Sequence, residues 1–275
     1  MRKFIAISLA ALAAGAATPA LAQDTYDWGG FYGGISGSYD MLDDSSIDRV
    51  DFDRGNNGSF GEVVTTSTNL DAFSPGFCGG SPTSTAPGTG CDGDDEEFGV
   101  QGRLGFDFPV ASNFIVGLVG EAGWSQLEDN VTAFSTTPAS YTFTRSVEYT
   151  AAIRARAGVT AGPSLIYVTG GWLHAKMDND FATTNGMNTF TQNDPKDWSQ
   201  GYQAGAGVEY MVTQNMSLGL EYLYNDVSNG GYSVTVGQGT ATAANPFVLA
   251  GGVTMRPEEK SFAWHSLRAV ANFRF

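Results

Sequence analysis

One feature limits this chain more than any other: apolar and polar residues alternate with a period of two along most of its length. In residues 98–108, Phe98, Val100, Leu104, Phe106 and Phe108 share one face, and Gln101, Arg103 and Asp107 share the other. A period of two describes a strand with one apolar and one polar face. The pattern returns over residues 114–125, 147–159, 202–212, 216–225 and 266–275, and a glycine-rich version covers residues 31–39. Residues 165–176 are also strand-like, but both faces are apolar at first, so their facing is open. That makes eight predicted strands.

The connections alternate strictly. Short ones follow Phe108, Val159 and Val212, and long ones cover residues 41–97, 126–145, 177–198 and 226–261. Strands of this length are close to the roughly 9–11 residues that cross a bilayer at a tilt. Tight turns at one end and long loops at the other are the plan of a membrane-spanning antiparallel barrel. The fold expected is all-β: an eight-stranded transmembrane β-barrel with short periplasmic turns and long external loops. A soluble lipocalin-like barrel is the structural rival. It needs an apolar interior, whereas the charges here favour a polar one.

Physics sets the polar face inside. An Arg or Lys facing lipid at mid-membrane costs about 2–4 kcal/mol. Arg103, Arg154, Arg156 and Arg268 are therefore expected to point inward with Glu121, Glu148, Glu209 and Glu221. Eight strands enclose a space that side chains just fill, so a plugged, charge-paired lumen is favoured over an open pore. Inward glycines (Gly105, Gly117, Gly205, Gly207, Gly219) leave room for long Arg side chains. Aromatic strand ends (Trp28, Phe31, Phe108, Phe114, Trp124, Tyr210, Tyr224, Phe273, Phe275) suit interfacial girdles.

The first 22 residues form an export signal: Arg2 and Lys3, an apolar run, then Ala20-Leu21-Ala22 as the cleavage site. Residues 23–275 are then the barrel domain, with 41–97 as a long external insertion. No later run is apolar for 18 residues, so no spanning helix is expected. The chain has 14 basic and 29 acidic residues, for a formal charge of −15. That balance argues against nucleic acid as a partner, because phosphate binding needs clustered Lys and Arg. Of the 29 acids, 21 fall in the four long loops, so the external surface is negative.

Cys78 and Cys91 are the two cysteines. In an exported chain they are expected to form a disulfide, worth about 3 kcal/mol by loop entropy; two free thiols are the alternative. Asp92, Asp94, Asp95, Glu96 and Glu97 form the densest acidic run. Its oxygens suit a hard cation, but it lacks the EF-hand spacing, so a solvated loop end is the first expectation. No metal or other cofactor is expected. A hydrolase would need Ser, His and an acid on one face. His174 and His265 are the only histidines, and Ser266, next to His265, points to the opposite face. No enzyme is expected, and both histidines are assigned to strand ends at the interface.

Six short motifs, in order, carry a resemblance. They are Asp27-Trp28-Gly29-Gly30-Phe31-Tyr32, Ile153-Arg154-Ala155-Arg156-Ala157-Gly158, Tyr167-Val168-Thr169-Gly170-Gly171, Gly205-Ala206-Gly207-Val208-Glu209-Tyr210, Leu220-Glu221-Tyr222-Leu223-Tyr224 and Asn272-Phe273-Arg274-Phe275. Together they resemble small alphaproteobacterial outer-membrane β-barrels, often grouped as porin-family proteins. The insertion 41–97 does not match. The resemblance implies a Gram-negative outer-membrane location. It also implies that Phe273 and Phe275 belong to a barrel-assembly signal read by the assembly machinery. The function expected is a structural role in the envelope, in contact with outer-membrane lipid and lipopolysaccharide. A narrow diffusion channel is one alternative. A surface adhesin or receptor, binding a ligand at its acidic loops, is another. The Asn56-Asn57-Gly58 and 81–90 stretches are turn- and linker-like, which predicts a largely mobile first loop.

Overall fold

The computed structural model describes residues 26–43, 49–86, 90–94 and 96–275. The expected export signal, Asp95 and short parts of the first loop lie outside the described residues. Among the described residues the order is β1 (Gly30–Leu42), β2 (Val50–Arg54), β3 (Gly76–Gly79), β4 (Ser81–Pro82), β5 (Cys91–Asp92), β6 (Glu97–Ala111), β7 (Phe114–Trp124), β8 (Glu128–Ser135), β9 (Ala139–Ala161), β10 (Ser164–Thr183), β11 (Thr189–Asn193), β12 (Lys196–Met211), β13 (Met216–Ser228), β14 (Ser233–Gly237), α1 (Pro246–Leu249), β15 (Val253–Pro257) and β16 (Ser261–Arg274).

Eight strands close into a ring, β1-β6-β7-β9-β10-β12-β13-β16, with every pairing antiparallel. The first and last strands complete it, with Tyr32 opposite Arg274 and Gly34 opposite Asn272. Closure satisfies every backbone group where lipid offers no partner. Ile35, Leu104, Leu118, Ile153 and Leu220 face outward and are exposed, while their neighbours Arg103, Arg154 and Glu221 are buried. The pairing of β10 with both β9 and β12 resolves its facing. Leu165, Tyr167, Leu173 and Ala175 point in, and Ile166, Val168 and Trp172 point out.

The long loops are built, not loose. Strand β9 has 23 residues and β10 has 20. At ~3.3 Å per residue, β9 runs roughly 75 Å, well beyond the ~30 Å hydrocarbon core. The upper halves of this hairpin rise above the membrane, with Thr183 still opposite Tyr141. Strand β8 adds to β9, and β3 adds to β8. A second sheet, β11-β14-β15-β2, joins segments of loops one, three and four. The two share an apolar core that includes Phe52, Val64, Phe73, Val131, Tyr141, Phe143, Val234, Phe247, Val253 and Met255. The result is a folded external cap.

For the described residues 49–79 this overturns the expectation of a largely mobile first loop, and the long connection 126–145 carries β8 and the start of β9. The turn chemistry at residues 56–58 is present: Asn57 and Gly58 donate their N–H groups to Asp53 at 2.8 and 2.9 Å. Around it, however, Val50, Phe52, Val64, Ala72 and Phe73 are buried. The partner of β2 is β15, about 200 residues away in sequence, so no local period announces it. Cys78 and Cys91 form a disulfide that ties β3 to β5 within the cap.

Candidate functional site

The barrel interior is stacked in layers. At the periplasmic end Trp28, Ile115, Leu165, Tyr167 and Met211 form an apolar cluster. Trp28 donates its indole N–H to Gly162 at 3.2 Å, which folds the start of the chain under the barrel mouth. Trp28 is thus buried beneath the barrel, a correction to its expected place in a girdle. Phe31, Phe108, Phe114, Trp124, Tyr210, Phe273 and Phe275 are exposed, and Tyr224 is half-buried.

Above this cluster lies a first charged layer. Arg156 donates to Asp107, in part at 2.7 Å, and to Glu209 at 2.7 Å. Arg274 donates to the same Asp107 at 2.9 Å. Ser217 and Asn272 fill the remaining acceptor sites of Glu209 at 2.8 and 3.0 Å. The Arg156 guanidinium lies over the rings of Tyr32 and Tyr167, 4.5 and 5.1 Å from their centroids. The glycine expectation shifts here. A Cβ at Gly105 would meet the Tyr32 ring at 2.2 Å, and one at Gly207 the Tyr167 ring at 2.5 Å. These glycines admit tyrosine rings, and the rings in turn bracket the arginine.

A second charged layer follows. Arg154 donates to Glu121 at 2.6 Å and to Glu221 at 3.1 Å. Arg268 donates to Glu121 at 2.6 Å, Arg103 to Glu221 at 3.4 Å, and Tyr167 to Glu221 at 2.8 Å. Next comes a neutral-donor layer. The Asp40 carboxylate accepts hydroxyls from Ser266, Ser125 and Ser38 at 2.5, 3.0 and 3.0 Å. Near the external rim a second apolar cluster, Leu127, Val147, Ala152, Leu173, Ala175, Met177, Val227, Phe262 and Trp264, crosses the interior. Buried ions are stable only when paired and hydrogen-bonded. Among the described residues these interior layers bury five acids (Asp40, Asp107, Glu121, Glu209, Glu221) against five arginines (Arg103, Arg154, Arg156, Arg268, Arg274).

Of the eight charges expected inside, seven stand in these layers. Glu148 does not. The register of β9 against β10 slips between Lys176 and Met177, and such a bulge turns the extra residue to the other face. Glu148 accepts from Lys176, and both side chains are about one-third exposed. Strict alternation misses this because it counts no bulge. Sequence reasoning also left Asp40, Asp107, Arg274, Tyr32 and Tyr167 out of the network, although Asp107 shares its face with Arg103, and Arg274 with Arg268. The apolar layers carried no signal, because they look like any other strand residues.

The histidines lie on the outer wall, away from the charged layers. His174 stacks on Trp198 at 4.8 Å between centroids, and His265 shares a 2.6 Å hydrogen bond with Tyr222. Ser266, by contrast, is fully buried against Asp40. In the acidic run, Asp92 and Glu96 are exposed, and Glu97 is half-buried at the start of β6. Among the described residues no three His, Cys, Asp or Glu side chains are arranged to hold a metal. Asp94 instead accepts the backbone and side-chain N–H of Asn130 at 3.0 and 2.6 Å. Burial pushes its carboxyl up to about 6, against these two hydrogen bonds and helped by the nearby Asp129 and Glu128. Arg145 links cap loops: it pairs with Asp129 and donates to the carbonyls of Glu259 and Ser261 at 3.2 and 3.0 Å.

The sequence matches the family model described as "Outer membrane protein beta-barrel domain" over residues 7–245. It is 26% identical over 212 residues to the 31 kDa outer-membrane immunogenic protein of Brucella melitensis, covering 74% of this chain and 73% of that one. Among solved structures it is similar to the outer membrane protein OprG of Pseudomonas aeruginosa. That likeness has a TM-score of 0.49 and 13% identity, covering 90% of this chain and 97% of the other. Neisserial surface protein A is also similar, at TM-score 0.36 and 12% identity over 89% and 97% of the two chains.

Proposed function

Because the chain belongs to the outer membrane protein beta-barrel domain family, we propose that this outer-membrane protein is a closed, non-conducting scaffold that carries a folded cap on the cell surface. The observation that supports this is the interior stack: two charged layers, which together with Asp40 hold five acids and five arginines, between an apolar cluster at each end. Ions crossing it would have to shed water into two apolar layers and break paired charges, and either step is costly. The charge network of Arg103, Glu121, Arg154, Arg156, Glu209, Glu221 and Arg268 then serves stability, not transport. In this reading the protein is not an enzyme. Phe273 and Phe275, both exposed on the outer wall, serve as the end signal for the barrel-assembly machinery. The acidic loops meet lipopolysaccharide phosphates through divalent cations.

A strain lacking the protein tests the role. A scaffold predicts greater leakage of periplasmic contents and greater sensitivity to large antibiotics, both restored by the cloned gene. Slower uptake of small hydrophilic solutes in that strain, with an intact barrier, would instead mean a diffusion pore. The receptor reading is favoured by a separate observation: the external segments share a core of their own, which is more than barrel closure requires.

A further inference from the structure

The two charged layers of the barrel interior differ in balance. The first sets Arg156 and Arg274 against Asp107 and Glu209, two charges against two. The second sets three arginines, Arg103, Arg154 and Arg268, against two carboxylates, Glu121 and Glu221. Arg103 and Arg154 meet on Glu221, and Arg154 and Arg268 meet on Glu121, so a shared carboxylate links each arginine to the next. All three arginine side chains are at most 2% exposed.

The imbalance shows in the hydrogen bonds. Both oxygens of Glu121 and both of Glu221 already accept. Yet Arg103 Nε and Nη1, Arg154 Nε and Nη1, and Arg268 Nε are buried with no partner among the described residues. In the first layer Arg156 has no such atom, and those of Arg274 include Nη2, which lies 3.8 Å from Glu209. Oxygens near the second layer are engaged elsewhere. Asp40 offsets the charge from the next layer, but its two oxygens take three serine hydroxyls. The Tyr167 hydroxyl donates to Glu221 and the Thr169 hydroxyl to the Ala155 carbonyl. The residue opposite Arg154 on β10 is Gly171, which has no side chain to offer.

A guanidinium has donors only, and a buried donor of a charged group without an acceptor is costly. Water accepts such bonds but brings hydrogens that need acceptors in turn, and the oxygens here are taken. A halide accepts from several directions and donates nothing. We infer that the second layer binds one small monovalent anion of the chloride class, held by Arg103, Arg154 and Arg268. One negative charge matches the layer's excess of one positive charge, whereas phosphate or sulfate brings more charge and more bulk. Apolar clusters lie beyond the layers at both ends, so the anion is enclosed as the barrel folds.

The full-length protein, refolded and crystallised in sodium bromide, tests this by anomalous scattering. A bromide peak within hydrogen-bond distance of at least two of the three arginines is the result expected. No peak there, or peaks on the surface alone, overturns the proposal and leaves water as the filling. In solution, urea unfolding in micelles is compared in chloride and in gluconate, an anion too large for the layer, at equal ionic strength. The midpoint should be higher in chloride and should rise with chloride concentration. Arg103→Leu removes the excess charge and leaves Arg154 and Arg268 paired with Glu121 and Glu221, so it is expected to fold. It should lose both the chloride dependence and the peak, while Arg49→Leu, which removes an exposed cap charge, should change neither. Equal midpoints in the two salts, or a chloride dependence that Arg103→Leu leaves intact, also overturns the site. Neither readout depends on conductance: a bromide peak in a protein that also conducts keeps the anion site and removes the sealed scaffold.

Discussion

Arg154 shows what one residue does in this interior. Its side chain is fully buried and donates to two carboxylates, Glu121 and Glu221. Replacing Glu221 with Ala takes the carboxylate from buried Arg103 and one of two from Arg154, which costs about 3–5 kcal/mol; Arg154→Ala costs less, because Glu121 keeps Arg268 and Glu221 keeps Arg103 and Tyr167. Glu148→Ala touches a pair that is one-third exposed, so its cost is at most about 1 kcal/mol. Urea unfolding in micelles should separate the two classes clearly, and equal losses would place Glu148 in the network. Asp94 gives a second prediction at this scale. Its folded value of about 6 lies above its ordinary one, so the folded cap holds the proton more tightly than the unfolded chain. Its contribution is fully present below about pH 4 and is lost as pH rises through 6. The urea midpoint of the cap transition should fall across that window, and Asp94→Asn should flatten the change. The facing of Arg103, Arg154, Arg156 and Arg268 was legible in the sequence, because a period of two plus lipid outside admits one answer. Glu148 was not, since a single bulge reverses facing.

The barrel strands and the cap strands differ in how they are specified. Each barrel strand pairs with its nearest spanning neighbour in sequence, save for the closing pair β1–β16, and all but β10 carry a clear alternation of their own. That is why all eight, and the alternation of short and long links, could be read directly. The cap strands are short, and β2 finds β15 across nearly the whole chain. Their signal is a few buried residues such as Phe52 and Met255 among turn formers, which a local window cannot tell from linker. A cap with its own core should soften independently of the barrel. Reducing Cys78–Cys91 should raise amide exchange in β3 and β5 and leave β6, β7 and β16 unchanged. Phe73→Ala empties a site among three rings, Phe52, Tyr141 and Phe247. It should cost about 3–5 kcal/mol in the cap transition alone, while the folded barrel keeps its faster migration in unboiled gels. Loss of that shift would mean that cap and barrel fold as one unit.

At the scale of the whole molecule, three parts meet end to end: a lipid-facing wall, a layered interior and a surface cap. The wall and its polar filling follow from eight alternating strands and the cost of charge in lipid. In the proposed function it is the two apolar layers that seal a charge-filled barrel, and they arise where neighbouring strands bring Leu173, Met177 and Trp264, or Trp28 and Met211, to one level. Only register, set by many pairings at once, decides that. The proposed function therefore turns on whether water and ions pass through. Planar-bilayer recording of the folded protein, with its gel shift verified in the same preparation, asks this directly. Silence at voltages that leave the barrel folded is the result predicted. Reproducible unitary steps would contradict the sealed interior and make the protein a channel.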